Sequence, residues 1–194
     1  MPAYVEGLPV LEEGSRHLHP WVLVNAPRTI TLRDGAVGFI LAFWADWFDE
    51  NVERLDQPGE HPTGIDDGGY SHRAITGGSG WSKHATAGAE DLNWRKHVYN
   101  TFPIESFTTK QIAIIHAKLR DTWVGGVPVI EWGGDWPSHP GSTAKPDPMH
   151  FQISSHVAAD PITACEVLAK RWMRRKRGAA LLEVNPGQRA VILS

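Results

Sequence analysis

The sequence predicts an α+β domain: one compact unit with a small antiparallel sheet and flanking helices. Three observations carry that expectation. Short β-branched runs bounded by turn residues are interspersed with amphipathic stretches, without the regular alternation of a doubly wound parallel sheet. A length of 194 residues with 41% hydrophobic and 21% charged residues suits one well-filled core and excludes a disordered chain. No internal repeat or low-complexity segment interrupts it.

The elements follow in order. Trp21–Asn25 and Arg28–Arg33 read as strands joined by an Ala26–Pro27 turn. Asp34 is placed to cap a helix whose Val37, Ile40, Leu41, Trp44 and Phe48 recur at helical spacing. Residues 56–69 have loop composition, a short strand is expected over Tyr70–Ile75, and Gly77–Gly80 breaks it. Thr108 and Gln111 fit a capping box for a second helix, with Ile112, Ile115 and Leu119 buried and Gly125–Gly126 beyond its end. Val127–Trp132 and Met149–Ile153 read as strands flanking a loop over 137–146. Asp160, Pro161 and Gly178 bound a third helix over 161–177. The expected organisation is a single domain over 1–194, its core at about 28–155 and the basic helix at 161–177 an appendage.

Charge and composition narrow the function classes. Residues 1–150 carry 12 basic and 19 acidic side chains, whereas 151–194 carry 7 and 3, concentrated in Lys170–Arg177. An acidic body repels phosphate, so nucleic acid is not expected as a partner. The longest apolar run, Ala36–Ala45, is far short of the roughly 20 residues of a membrane span, so no stable membrane insertion is expected. The first residues lack the basic stretch and apolar core of a secretory signal. A single cysteine, Cys165, excludes an internal disulfide framework and a multi-cysteine zinc site. Ten histidines leave a His and carboxylate site open.

Two stretches hold more reactive groups than a core or a surface needs. In Ser82–Asn93, His84 and Asp91 are separated by Ala85-Thr-Ala-Gly88, small enough to turn the chain and aim both at one point. In Asp147-Pro-Met-His150, a carboxylate and an imidazole lead into a strand. His84, Asp91 and His150 would make a three-ligand zinc set, leaving a fourth position for water and Asp147 as base. Spacing alone leaves a structural hydrogen bond as the commoner reading of a His–Asp pair.

Ser82-x-His84-x-x-Ala87-x-Ala89-x-Asp91 resembles the Ser-x-His-x-x-Gly-x-Ala-x-Asp signature of the VanY-like D,D-carboxypeptidases and L-alanyl-D-glutamate endopeptidases. Asp147-x-x-His150 matches the second half of that pattern, and Trp132–Trp136 and His150–Ile153 follow the order of phage endolysins. The resemblance covers about residues 70–155. It implies a Hedgehog/D,D-peptidase-like fold with one zinc ion at the sheet, ligands His84, Asp91 and His150, and Asp147 as catalytic base. It also implies that Arg73 binds a stem-peptide carboxylate and that Ser82 supports the loop or the substrate. The implied activity is hydrolysis of a peptidoglycan amide by a monomeric bacteriophage endolysin. Such an enzyme is made in the host cytoplasm and reaches the wall after membrane permeabilisation. The alternative from another class is a non-catalytic wall-binding or virion module on the same fold.

The sequence departs from the signature at Ala87, where Gly is usual, and at Asp147, where Glu is common; Gly88 is expected to take over the special backbone angle. His17 and His19 read as surface residues, and His72, His97, His116, His139 and His156 lack carboxylates at useful spacing. His139 sits in the loop before Asp147, within reach of the site, and His116, beside Ile112 and Ile115, is expected to be a partly buried core histidine. Trp44 and Trp47 read as core, Trp81, Trp94 and Trp136 as cleft residues, and Cys165 as inert.

Overall fold

The computed structural model describes residues 3–26, 28–55, 66–75, 78–138 and 143–193. Pro27, most of the 56–69 loop, Gly77 and His139 lie outside them. Among the described residues the architecture is α+β, with small antiparallel sheets and helices packed around one core. No helix among them is long and apolar enough to cross a membrane.

The chain opens with a hairpin, β1 (Tyr4–Val5) and β2 (Leu8–Pro9), turning through Glu6 and Gly7, both at positive φ. A second hairpin pairs β3 (Leu18–Val22) with β4 (Thr29–Arg33). The first strand of that pair thus lies a few residues earlier than Trp21–Asn25, because Val24 and Asn25 donate their backbone N–H groups to Asp46 and leave the ladder. Asp34 stands at the N-cap of α1 (Gly35–Asn51), but its carboxylate turns to His17 Nδ1 at 3.2 Å. Gln188 Oε1 accepts from Gly35 N–H in its place.

The α1 helix is buried on almost every side, not along one stripe. It is enclosed by the β3–β4 hairpin, the central sheet, and three C-terminal helices, α4 (Pro161–Trp172), α5 (Lys176–Val184) and α6 (Gln188–Leu193). The expected 161–177 helix is therefore two helices broken after Trp172, and Gly178 lies inside the second. A Cβ at Gly178 would approach the Trp172 carbonyl oxygen to 2.2 Å, which explains the glycine there. The segment read as an appendage is part of the core, burying Cys165, Leu168, Ala169 and Trp172. Its basic residues are largely committed: Arg175 pairs with Asp121, Arg177 with Asp46 and Glu50, and Arg171 donates to the Asp121 and Trp123 carbonyls.

The three-stranded sheet that carries the site has the order β5 (Ala89–Asp91), β9 (His150–Ile153), β8 (Ile130–Trp132), all antiparallel. Alternation along the strands divides it cleanly. Phe151, Ile153, Trp132 and Ile130 face the core, where Phe151 packs 5.2 Å from Trp44 of α1 between ring centroids. The opposite face carries Asp91, His150, Gln152 and Glu131. Between β5 and this sheet's last strands the chain forms α2 (Pro103–Ser106), then α3 (Thr109–Arg120) with the expected Thr108–Gln111 capping box. The β6 (Trp123–Val124) and β7 (Val127–Pro128) hairpin turns through Gly125 and Gly126. Residues 70–75, expected as a strand, make only one isolated bridge, Ala74 with Trp81, because Tyr70 N–H goes to Thr31 and Ser71 N–H to His84.

Candidate metal centre

The local chain explains how each site residue is held. Ser82 caps a single 3₁₀ turn over Lys83–Thr86 by accepting from His84 N–H at 3.3 Å, so its side chain supports the loop. Ala87 then takes the left-handed conformation, φ 54° and ψ 29°, and reverses the chain into β5. The special angle therefore falls on Ala87 itself. Gly88 is small for a different reason: a Cβ there would meet Leu8 Cδ1 at 2.7 Å and Thr86 Oγ1 at 2.9 Å.

Antiparallel register sets Asp91 directly opposite His150, and the reversal at Ala87 brings His84 over the same face. The three side chains converge. His150 Nδ1 lies 2.9 Å from Asp91 Oδ1, His84 Nε2 lies 3.2 Å from Asp91 Oδ2, and the two ring nitrogens lie 3.2 Å apart. These buried groups could hold a metal ion, all three donor atoms lying within 4.8 Å of one another. A tetrahedral ion with bonds of about 2.0–2.1 Å holds its ligand atoms about 3.3 Å apart, close to the spacing here. The outer ring nitrogens have partners of their own. His84 Nδ1 donates to the Gly69 carbonyl at 2.5 Å, and His150 Nε2 faces Gln152 Oε1 at 2.9 Å. With both rings neutral and their protons on these outer nitrogens, the inner nitrogens would present lone pairs to each other and to a carboxylate, an arrangement that a cation relieves.

Electrostatics follow from that crowding. Burial would raise the Asp91 carboxyl, but His84 and His150 outweigh it and hold it far below the carboxylate range. Burial lowers the His150 imidazole, yet Asp91 raises it above its ordinary value. Asp147 behaves differently. Burial, reinforced by Asp91, pushes it up to about 6 against the lowering effect of His150, His84 and Arg73. Its Oδ1 is buried without a hydrogen-bond partner among the described residues. Its backbone is fixed by Asp147 N–H to Gly133 O at 3.0 Å and by His150 N–H to Asp147 O at 3.1 Å. Gly133 has to be small, since a Cβ would reach the Asp147 carbonyl oxygen at 2.5 Å.

The cluster opens on a groove of about 570 Å³ that also admits Arg73, Trp81, Ser82, Trp136 and Asp147. The expected ligands His84, Asp91 and His150, the expected base Asp147, and Arg73 and Ser82 thus all line one cavity. Trp81 and Trp136 wall it, whereas Trp94 packs against Gly68 away from it. His97 and His116, assigned no carboxylate from spacing, find one through the fold: His97 contacts Glu53 at 3.1 Å and His116 contacts Asp135 at 2.9 Å. The His116 side chain is partly buried, 41% exposed, and packs edge-on against the core residue Trp132. Cys165 is buried, and burial pushes its thiol up.

Glu6, Lys83, Glu131 and Gln152 are among the groove residues that sequence reasoning missed. The signal for Gln152 was present, since it stands two positions after His150 on a strand. Glu6 had none, being 78 residues from His84 in the chain. Glu90, neighbour of Asp91, faces the core and is wholly buried with neither oxygen hydrogen-bonded among the described residues. Burial, with Asp67 and Asp91 adding, raises its carboxyl well above the usual range. The chain matches no protein-family model, no curated protein and no solved structure.

Proposed function

We propose that this chain is a zinc-dependent peptidase that hydrolyses an amide of the peptidoglycan stem peptide or cross-link, as a bacteriophage endolysin of the VanY-like type. The observation that carries the reading is the convergence of His84, Asp91 and His150 beside a half-buried Asp147 carboxyl on one groove. The resemblance of Ser82–Asp91 and Asp147–His150 to that family's two motifs supports it, as does a site built on the face of a three-stranded antiparallel sheet.

A zinc ion held by His84, Asp91 and His150 would supply Lewis acidity and a water of lowered pKa. Asp147 is suited to take the proton of the attacking water, because burial and the neighbouring Asp91 make its carboxylate more basic than an exposed one. The same carboxyl then returns the proton to the departing amine. Arg73, exposed on the groove rim, offers a guanidinium fork to a substrate carboxylate and so fixes the peptide along the cavity. Trp81 and Trp136 supply apolar walls that reduce water access around the reacting amide.

The test is incubation of the protein with isolated sacculi of several wall types, with and without a zinc chelator, followed by mass spectrometry of the peptide ends. New termini that vanish with chelator and are not made by Asp147→Asn support the reading and name the bond. Adhesion to every wall with no new terminus overturns it in favour of a binding module.

A further inference from the structure

Gln152 shares the site face of β9 with His150, and Glu131 of β8 stands directly opposite it. Its amide is held from three sides. Oε1 lies 2.9 Å from His150 Nε2, while Nε2 donates to Glu131 Oε1 at 2.6 Å and to Glu6 Oε2 at 3.4 Å. Ionised carboxylates only accept hydrogen bonds, so the two glutamates take the amide N–H groups and turn its oxygen toward His150. An oxygen in that position requires the proton of His150 to sit on Nε2. In the neutral imidazole, the form that binds a metal, Nδ1 is then the lone-pair nitrogen, and it is Nδ1 that faces His84 and Asp91.

The two glutamates are themselves anchored. Glu131 accepts from the Ser154 hydroxyl at 2.9 Å, from Ser155 N–H at 3.2 Å and from the Ser155 hydroxyl at 3.3 Å. Glu6, at the tip of the N-terminal hairpin, is held by Lys83 Nζ at 2.8 Å. A flip of the Gln152 amide would set its oxygen against both carboxylates and its N–H groups against the ring N–H of His150.

We infer that Gln152, oriented by Glu131 and Glu6, is a positioning residue of the metal centre that fixes His150 to bind through Nδ1, making the N-terminal hairpin part of that centre. The inference rests on the metal-centre reading above. It differs in predicting that residues which touch no metal set zinc affinity.

Two measurements on the full chain test it. Zinc affinity is read by competition with a chromogenic chelator for wild type and Gln152→Met, which keeps length and apolar bulk but offers neither amide oxygen nor N–H. A 10- to 100-fold loss is expected for a folded Gln152→Met, the range typical of residues that orient metal ligands. The second measurement needs no variant: nitrogen NMR of the zinc-titrated wild type locates the His150 ring proton, expected on Nε2. A proton on Nδ1, or a Gln152→Met protein that binds zinc as tightly as wild type, overturns the positioning role and leaves the metal centre standing. A wild type that binds no zinc overturns the metal centre, and this inference with it.

Discussion

Asp147 and Ala87 show how single residues set the site. On the proposed peptidase reading, Asp147→Asn keeps the shape of the side chain but cannot take a proton, so cleavage is expected to fall about 100- to 10,000-fold while zinc is retained. Single-turnover cleavage of sacculi alongside a metal assay checks both halves of that statement. Ala87 occupies a left-handed conformation that costs a residue with a Cβ about 1–2 kcal/mol. Ala87→Gly relieves that cost but gives the unfolded chain more freedom, worth about 0.4–1 kcal/mol in the other direction. Ala87 is also fully buried, so losing its methyl costs about 0.8 kcal/mol more; the three contributions nearly cancel, and a urea midpoint close to wild type is expected. The site motifs were legible in the sequence because each sits within about ten residues of chain. The reason for Gly88 was not, since Leu8, which its Cβ would strike, comes from a distant hairpin.

At the scale of elements, polar groups buried between helices tie the layers together. Glu53, just past α1, accepts from His97 Nε2 at 3.1 Å, pairs with Lys96, and accepts from Asn93 Nδ2 at 2.6 Å. Burial would raise its carboxyl, but His97 and Lys96 prevail and bring it down to about 2 from an ordinary 4.5. Because the folded value lies below the unfolded one, this carboxylate stabilises the fold fully above about pH 4.5. The contribution is lost as the pH falls from there toward about 2. The loss is on the order of 3 kcal/mol, and Glu53→Gln should flatten the acid limb of a stability–pH profile measured by urea unfolding. Asp46 of α1 plays a similar part: wholly buried, it accepts from Val24 and Asn25 N–H and from Arg177. Arg177→Ala leaves that carboxylate without its cation and should destabilise by roughly 3 kcal/mol in the same assay. These ties explain why the basic C-terminal stretch reads as an appendage in sequence yet is structural in the fold.

For the whole molecule, the candidate metal centre joins four distant parts of the chain: the 3₁₀ turn at His84, β5, β9 and, through Gln152, the N-terminal hairpin. An ion bound there favours the folded state alone. At a free zinc concentration 100 times Kd the gain is about 2.7 kcal/mol, or roughly 5–10 °C in Tm for a chain of this size. Calorimetry with and without zinc should show that shift in wild type and not in His84→Ala. A shift of equal size in both would place the ion elsewhere.

The sequence by itself determined the α+β class, the α1 and α3 helices with the Thr108–Gln111 cap, the strand carrying His150, and the candidate ligands His84, Asp91 and His150. All of these are written in local spacing, where hydrophobic periodicity and capping chemistry act over a few residues. Only the tertiary structure decided that Asp91 pairs opposite His150, that α4 and α5 wrap α1, and that Glu6 reaches Gln152. Those outcomes depend on which apolar faces bury together and on which charges are left to satisfy one another across long stretches of chain. No local pattern encodes such choices, because burial and electrostatic pairing are properties of the folded neighbourhood.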